Sequence, residues 1–498
     1  MDIIHISDKD NVVVALADLK AGFEVRFDTC AFSLNKDVAR GHKVAFCDIK
    51  QGENIIKYGY PIGHAICDIK QGDLVNTDNV KTNLDGVLNY TYTPAFVSPL
   101  NTDKYAHKSF KGYKRENGAV GTRNEVWIIP TVFCINTVAK ELGRIGHDLA
   151  KDFANVDTCI AFPHEFGCSQ MGKDHLNTQK SLAGLINNPN AGAVLVVGLG
   201  CENNNIEEFK EVLGAYNHER VKFLNCQDVE GDEVNHGVEI LKELLVFANK
   251  YKRETCPISD LRLGLKCGSS DGLSGITANP LVGTVTDKIV AMGGTAVMTE
   301  VPEMFGAEQI LMNRAKDKET FESIVNLIND FKNYYISHGE IISDNPSPGN
   351  KKGGISTLEE KSLGCIQKGG FSKVSGVLDY TDHVKVQGLN LLQSPGSDGI
   401  STTALAISGC NLIVYTTGRG TPFGTAVPGI KVSSNSNLAT KKPNWIDFNA
   451  GPLVDGKDKN ALSDELLDFI LEVASGKATC DEIHGFKEIN IWKDGVFL

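Results

Sequence analysis

The sequence predicts an α/β protein in which a small N-terminal β-rich module is followed by two α/β domains with mainly parallel sheets. Three observations carry that prediction. Residues 1–80 offer only short apolar runs parted by Gly-containing turns, the pattern of strands and not of helices. Beyond residue 110, strand-like runs alternate with helical periodicity, which argues for parallel strands layered with helices. The chain of 498 residues also exceeds what one hydrophobic core supports.

In the N-terminal module, residues 1–80, the apolar runs fall at 11–15, 43–46 and 54–56. Cys47-Asp-Ile-Lys-Gln-Gly52 recurs twenty positions later as Cys67-Asp-Ile-Lys-Gln-Gly72, a duplicated strand and turn. Two copies are too few for a solenoid. Residues 81–110 are polar, rich in Asn, Thr, Tyr and Pro, and read as a linker, so the module is expected to fold by itself. The central domain, 111–255, carries strand runs at 126–129, 158–162 and 193–197 and helical patterns at 206–213 and 238–248. Pro257 follows a charged helix end and marks the next break. The C-terminal domain, 256–498, repeats the alternation with strands at 261–265, 295–299 and 412–416 and helices at 321–334 and 465–474.

Composition removes several classes of function. Fifty Lys and Arg against 62 Asp and Glu leave a formal charge of −12, with no basic block to follow a phosphate backbone, so nucleic acid is not an expected partner. The opening MDIIHISDKD lacks the basic start and apolar run of a leader, and no apolar stretch is long enough to cross a bilayer. A cytoplasmic protein with no membrane partner is the expectation. The 13 Cys, an odd number, are then reduced thiols and not a disulfide framework.

Four of those Cys sit beside Gly, three of them at the ends of apolar runs: Cys168 after Gly167, Cys201 after Gly200, Cys267 before Gly268 and Cys365 after Gly364. Carboxyl ends of strands in open α/β sheets form the binding crevice, and thiolates are good ligands for iron or zinc. Convergence of the four on iron, mononuclear or as an iron–sulfur cluster, is set against the alternative of buried structural thiols. The loop Gly198-Leu-Gly-Cys-Glu-Asn203 lacks the third Gly of a dinucleotide fingerprint, which argues against NAD. Turns at 268–272, 394–399 and 416–421 suit a small anion or polyol, with Ser269, Asp271, Ser397, Asp398, Thr417 and Arg419 as substrate-binding candidates. His164 lies four positions before Cys168, Arg123 opens the first central strand, and His42 and Lys43 sit on a turn of the N-terminal module. These four, with Arg419, are the catalytic candidates.

Longer strings carry a family resemblance. GHKVAFCDI and IKYGYPIG, then GYKRENGAVGTRNEVWIIPTVFCIN, GCSQMG and NPNAGAVLVVGLGCENN, then CGSSDGLSGITANP, TEVPEMFGAE, NPSPGNKKGG, TTGRGTPFG and WIDFNAG resemble, in order, the altronate and galactarate dehydratase family. The resemblance implies a SAF-type N-terminal module and dependence on Fe2+. It also implies dehydration of D-altronate to 2-dehydro-3-deoxy-D-gluconate in hexuronate catabolism. Galactarate dehydratase and a sulfolactate-type lyase are the alternatives within the family, and a sugar-acid binding protein is the alternative outside catalysis. One departure stands out: where the family has a His-rich run, this chain has Val75-Asn76-Thr77-Asp78-Asn79, and Asn is a weak substitute for imidazole.

The reaction so implied removes the proton next to a carboxylate and expels the 3-hydroxyl, after which the enol tautomerises to a 2-keto acid. A carboxylate activates that proton poorly, so the developing enediolate needs cations, and the leaving hydroxyl needs a Lewis or general acid. In this reading His164 or His42 carries the proton, Arg123 and Arg419 clamp the carboxylate, and Cys168, Cys201, Cys267 and Cys365 hold the iron. A homo-oligomer is compatible with the sequence.

Overall fold

The computed structural model describes residues 2–27, 30–98 and 100–497. The expected order of a strand-rich module and two layered α/β regions is present. In the module, Ile3–Ile4, Val12–Ala15, Lys43–Ala45 and Leu74–Val75 form one antiparallel sheet, flanked by the Glu24–Phe27/Cys30–Ser33 hairpin and a three-stranded sheet. The echo at residues 47–52 and 67–72 has a structural cause. Ile49 and Ile69 bridge each other, the Gln51 amide donates to Asp68 (3.0 Å), and the Gln71 amide donates to Asp48 (3.0 Å). Leu19 and Val38 repeat the arrangement, with Asp37 accepting from Ala21 and Asp18 from Arg40. The motif therefore occurs four times, as two reciprocal pairs, and sequence identity reveals only one pair.

The central sheet is fully parallel, in the order Thr158–Ala161, Glu125–Pro130, Ala191–Gly198, Val221–Asn225. Its two middle strands are buried along their whole length, as strands covered by helices on both faces must be. Helices Ile206–Leu213 and Glu233–Ala248 start where Asn205 and Asp232 accept N-cap hydrogen bonds. The antiparallel pairing of Ser109–Lys114 with Arg253–Pro257 ties the start of this region to its end.

The C-terminal sheet has seven parallel strands, in the order Val374–Leu378, Gly388–Leu392, Thr295–Met298, Arg262–Gly268, Leu412–Thr417, Gly429–Ser433, Phe448–Asn449. Strand order reverses direction between Arg262–Gly268 and Leu412–Thr417, and in the central sheet between Glu125–Pro130 and Ala191–Gly198. Such switch points open a crevice beyond the carboxyl ends of the strands.

The expectation of an independently folding module is corrected by its packing. Val12, Ala45, Ile55, Ile62 and Ile69 belong to the same apolar core as Leu263, Leu281 and Leu363 of the C-terminal region. The segment after it is also tied down: Thr82 donates to Glu359 (2.9 Å), Tyr90 to Glu308 (2.6 Å) and Tyr92 to the Ala315 carbonyl (2.7 Å). No described helix is long and apolar enough to cross a membrane.

Candidate active site

The switch point of the seven-stranded sheet opens into a cavity of about 900 Å³. Its floor is built by the residues that end two strands. Cys267 and Gly268 end Arg262–Gly268, and the next strand, Thr295–Met298, runs into a short turn, Val301–Met304, that presents Glu303. The helix Leu358–Cys365 crosses beneath and supplies Lys361 and Cys365. The Cys267 and Cys365 sulfurs are 3.3 Å apart, and Glu303 Oε2 lies 2.8 Å from the first and 3.2 Å from the second. All three are buried.

Three atoms that each favour negative charge stand this close only with a proton or a cation among them. Hydrogen bonding to Cys365 holds the Cys267 thiol down to about 6, and the same bond, with burial, pushes Cys365 well above its usual value. Burial alone would raise Glu303, but the ammonium groups of Lys361, Lys266 and Lys368 override it and hold the carboxyl well below its usual range. Two sulfurs and a carboxylate within 4.8 Å of one another are a donor set suited to a divalent transition metal.

Buried cations balance this floor. Lys361 Nζ meets Glu303 Oε1 at 2.7 Å, and Lys266 contacts Glu300 and lies 2.9 Å from Asp398 Oδ1. Glu300 occupies a left-handed conformation, φ 69°, at the entry to the Glu303 turn, a strain that fixes the path of the chain there. The roof is the segment around the Pro348–Lys352 helix, whose start is closed by a reciprocal Ser347–Asn350 cap. Asn350 also donates to the Ser270 carbonyl (2.8 Å). Lys351 at the rim is exposed and enters no ion pair among the described residues.

Of the residues expected from the sequence, Cys267, Ser269, Ser397 and Asp398 line this cavity and Cys365 lies under it. Cys168 and Cys201 do not join them. They belong to loops of the other parallel sheet, so the four Cys form two groups and not one ligand set. Arg123 cannot clamp a substrate. Its guanidinium forks onto Glu482 at 2.7 and 2.8 Å and donates its remaining hydrogens to the carbonyls of Thr122, Val473 and Lys477. Evenly spaced strand ends in the sequence give no sign that a residue from the C-terminal tail has already taken this cation.

His164 is likewise committed. Its Nε2–H donates to the Pro130 carbonyl (2.7 Å), and its Nδ1 accepts from the Phe166 amide (3.1 Å). A carbonyl only accepts and an amide only donates, so one neutral tautomer is fixed, and burial lowers the pKa to about 4. Lys43 is buried and spends its three hydrogens on Gly354 O (2.8 Å), Ser356 Oγ (2.8 Å) and Glu360 Oε2 (2.7 Å). Lys57 takes the other oxygen of Glu360 at 2.7 Å, and the trio pins the N-terminal module to the C-terminal region. His42 is half-buried, with Nε2 3.3 Å from the Lys352 carbonyl.

The remaining candidates shape loops. Thr417 is buried and accepts from the Gly420 amide (2.8 Å). The Asp271 carboxylate is held by Ser274 and Ser434 at 2.8 Å and by Asn435 at 3.1 Å. Arg419 braces the Gly349 carbonyl (2.9 Å) and lines a smaller neighbouring cavity of about 280 Å³ with Arg40, Asp271 and Lys352. Asn76, Asp78 and Asn79 close a turn on themselves. Glu303, Lys361, Lys266 and Glu300 were not singled out in the sequence. The available signal was Glu300 and Glu303, three apart around a Pro directly after an apolar strand.

With the geometry in place, comparison with known proteins decides the family. Residues 1–83 match the altronate/galactarate dehydratase SAF domain, 112–249 the D-galactarate dehydratase/altronate hydrolase second domain, and 258–497 the D-galactarate/altronate dehydratase C-terminal domain. The chain belongs to the altronate/galactarate dehydratase family. Within that family it is 50% identical to an altronate dehydratase of Escherichia coli (strain K12) over 100% of both chains. It is also 50% identical to an altronate dehydratase of Bacillus subtilis (strain 168), over 99% of each. A galactarate dehydratase (L-threo-forming) of Escherichia coli (strain K12) is 34% identical, across 95% of this chain and 93% of its own. The floor residues Cys267, Glu303, Lys361 and Cys365 all fall in the C-terminal family domain.

Proposed function

We propose that this chain is a hydro-lyase that dehydrates D-altronate to 2-dehydro-3-deoxy-D-gluconate in hexuronate catabolism, at the cavity beyond the seven-stranded sheet. The observation that carries the reading is the Cys267–Cys365–Glu303 group beneath a polar cavity, in a chain that matches altronate dehydratases end to end. The choice of altronate over galactarate rests on 50% against 34% identity.

Cys267, Cys365 and Glu303 would hold a ferrous ion, which when bound supplies Lewis acidity toward a leaving hydroxyl and a developing enediolate. The chain's own groups do the rest. Lys351 at the rim pairs with the substrate carboxylate, and Ser269 and Ser397 take hydroxyls along the wall. Asp398, oriented by Lys266, accepts the C2 proton. Lys361 keeps Glu303 ionised, and so keeps the donor set anionic before any ion arrives. Closure by the Ser347–Lys351 roof excludes water from the enol while it tautomerises.

The test is release of 2-keto acid by anaerobically prepared protein from a panel of aldonic and aldaric acids. Altronate is expected to show the highest kcat/KM. A higher value for galactarate would overturn the substrate while leaving the reaction class, and no keto acid from any member would overturn both.

A further inference from the structure

The central sheet carries a second group of cysteines at its own switch point. Cys134 follows Glu125–Pro130, Cys168 follows Thr158–Ala161 and Cys201 follows Ala191–Gly198, so three neighbouring parallel strands each deliver one thiol beyond their carboxyl ends. Cys134 and Cys201 are exposed and Cys168 is half-buried. Hydrogen bonds bind the three loops into one unit. The Phe133 amide donates to the Phe166 carbonyl (2.9 Å), the Asn204 amide to the Gly167 carbonyl (3.1 Å), and Asn204 Nδ2 to the Thr131 carbonyl (2.9 Å). Glu202 accepts from Thr131 Oγ1 (2.5 Å) and from the amides of Leu199 and Gly200. Gly167 has φ 97° and no room for a side chain, because a Cβ there would lie 2.0 Å from the Thr131 carbonyl. Ser169 is held at φ 57°, a left-handed conformation that costs free energy in a residue other than Gly.

We infer that Cys134, Cys168 and Cys201 are the protein ligands of a [4Fe–4S] cluster in the central domain, separate from the Cys267–Cys365–Glu303 group. Three independent features favour that ligand over a single ion. The three sulfurs form no group of ligand atoms within 4.8 Å of one another, the closeness a single ion needs, and they stand beyond the carboxyl ends of three neighbouring strands. The Phe133–Phe166 and Asn204–Gly167 backbone hydrogen bonds and the Asn204–Thr131 bond hold the three cysteine-bearing loops together beyond the same end of the sheet. Helices Asn136–Ala150, Gly172–Ile186 and Ile206–Leu213 begin within about a turn and a half after the three cysteines, and helix N-termini favour the net negative charge of a cluster bound by three thiolates. Gln227 Nε2, 3.6 Å from the Cys201 sulfur, donates to it as hydrogen-bond donors do around such clusters. Cys226, directly after the fourth strand, packs against the same apolar layer as Cys168 and serves as the control thiol outside the assigned set.

Three thiolates leave one iron of the cluster without a protein ligand. Ferricyanide should therefore take one electron and release that iron, [4Fe–4S]2+ → [3Fe–4S]+ + Fe2+ + e−, with the product visible by electron paramagnetic resonance. The full-length protein, reconstituted anaerobically with ferrous iron and sulfide, should hold about four acid-labile sulfides per chain and show the broad visible absorption of a cluster. Cys134→Ser, Cys168→Ser and Cys201→Ser should each lose both, with thermal unfolding unchanged in Cys134→Ser and Cys201→Ser, whose side chains are exposed. Cys226→Ser and Cys267→Ser should keep them. Sulfide retained in Cys134→Ser, sulfide lost in Cys226→Ser, or a reconstituted protein without sulfide would overturn the assignment. Acid-labile sulfide is read independently of keto-acid release, so failure here is distinguishable from failure of the dehydratase reading.

Discussion

The sulfurs of Cys267 and Cys365 lie 3.3 Å apart although 98 residues separate them in the chain. One ends a central strand of a parallel sheet and the other ends a helix that passes beneath it, and Glu303 completes the group. If these atoms hold the metal, Cys267→Ser, Cys365→Ser and Glu303→Gln should each reduce ferrous-ion binding and kcat. The loss should be at least about 100-fold, the upper end of what residues that merely support metal ligands cost. Equilibrium dialysis with ferrous ion and steady-state kinetics check this, and unchanged binding in Cys267→Ser would remove that residue from the set.

The same proximity predicts a redox sensitivity. Metal-free protein treated with diamide should form a Cys267–Cys365 disulfide, seen by peptide mass mapping. Metal binding and activity should be lost together and return with dithiothreitol, since thiolate attack is favoured where a hydrogen bond from one thiol lowers the pKa of the other. Modification that does not respond to dithiothreitol would argue against the pair.

Glu360 bridges the buried Lys43 and Lys57 at 2.7 Å each. Burial would raise its pKa, but the two ammonium groups lower it to about 2 from 4.5. A carboxyl whose folded pKa is lowered stabilises the fold above its unfolded pKa. That contribution should fade as pH falls from 4.5 toward about 2. Glu360→Gln leaves two buried cations unmatched and should cost about 3–5 kcal/mol in thermal or denaturant unfolding at neutral pH. A change below 1 kcal/mol, on a scale where roughly 0–1 is typical of surface pairs, would show that water reaches the trio.

Arg123 and Lys351 should behave oppositely. Arg123→Ala strands the partly buried Glu482 carboxylate and should destabilise by up to about 3 kcal/mol, with kcat/KM of the folded fraction preserved. Lys351→Ala should leave unfolding unchanged and raise KM for the sugar acid by roughly 10-fold or more, the worth of a charge-assisted hydrogen bond.

Gly268 tests the geometry of the cavity floor. A Cβ at this position would lie 1.9 Å from the Tyr415 hydroxyl and 2.9 Å from Asp398 Oδ1. Gly268→Ala should therefore displace Asp398 and lower kcat by about 100-fold, because misplacement of about 1 Å is enough for that loss. Wild-type kcat in this variant would show that Asp398 is not the proton acceptor.

Much of this protein was determined by the sequence alone. Parallel strands covered on both faces must be apolar throughout, so the runs around Val126–Ile129, 193–197 and 412–416 were legible as strands, and helix Ile206–Leu213 was legible from its period. The family, too, lay in the order of its motifs. Tertiary structure alone decided which of those motifs meet. Cys168 and Cys267 have the same local signature, a thiol beside Gly after a strand, yet they end strands of different sheets, and nothing local distinguishes the two. Arg123 and His164 look available in one dimension because their partners, Glu482 and the Pro130 carbonyl, come from other elements. Glu303 and Lys361 resemble ordinary surface charges until folding removes the water around them. Ionisation and ligand geometry depend on distance and solvent exclusion in three dimensions, and these arise only when the strands, the Leu358–Cys365 helix and the N-terminal module close on one another.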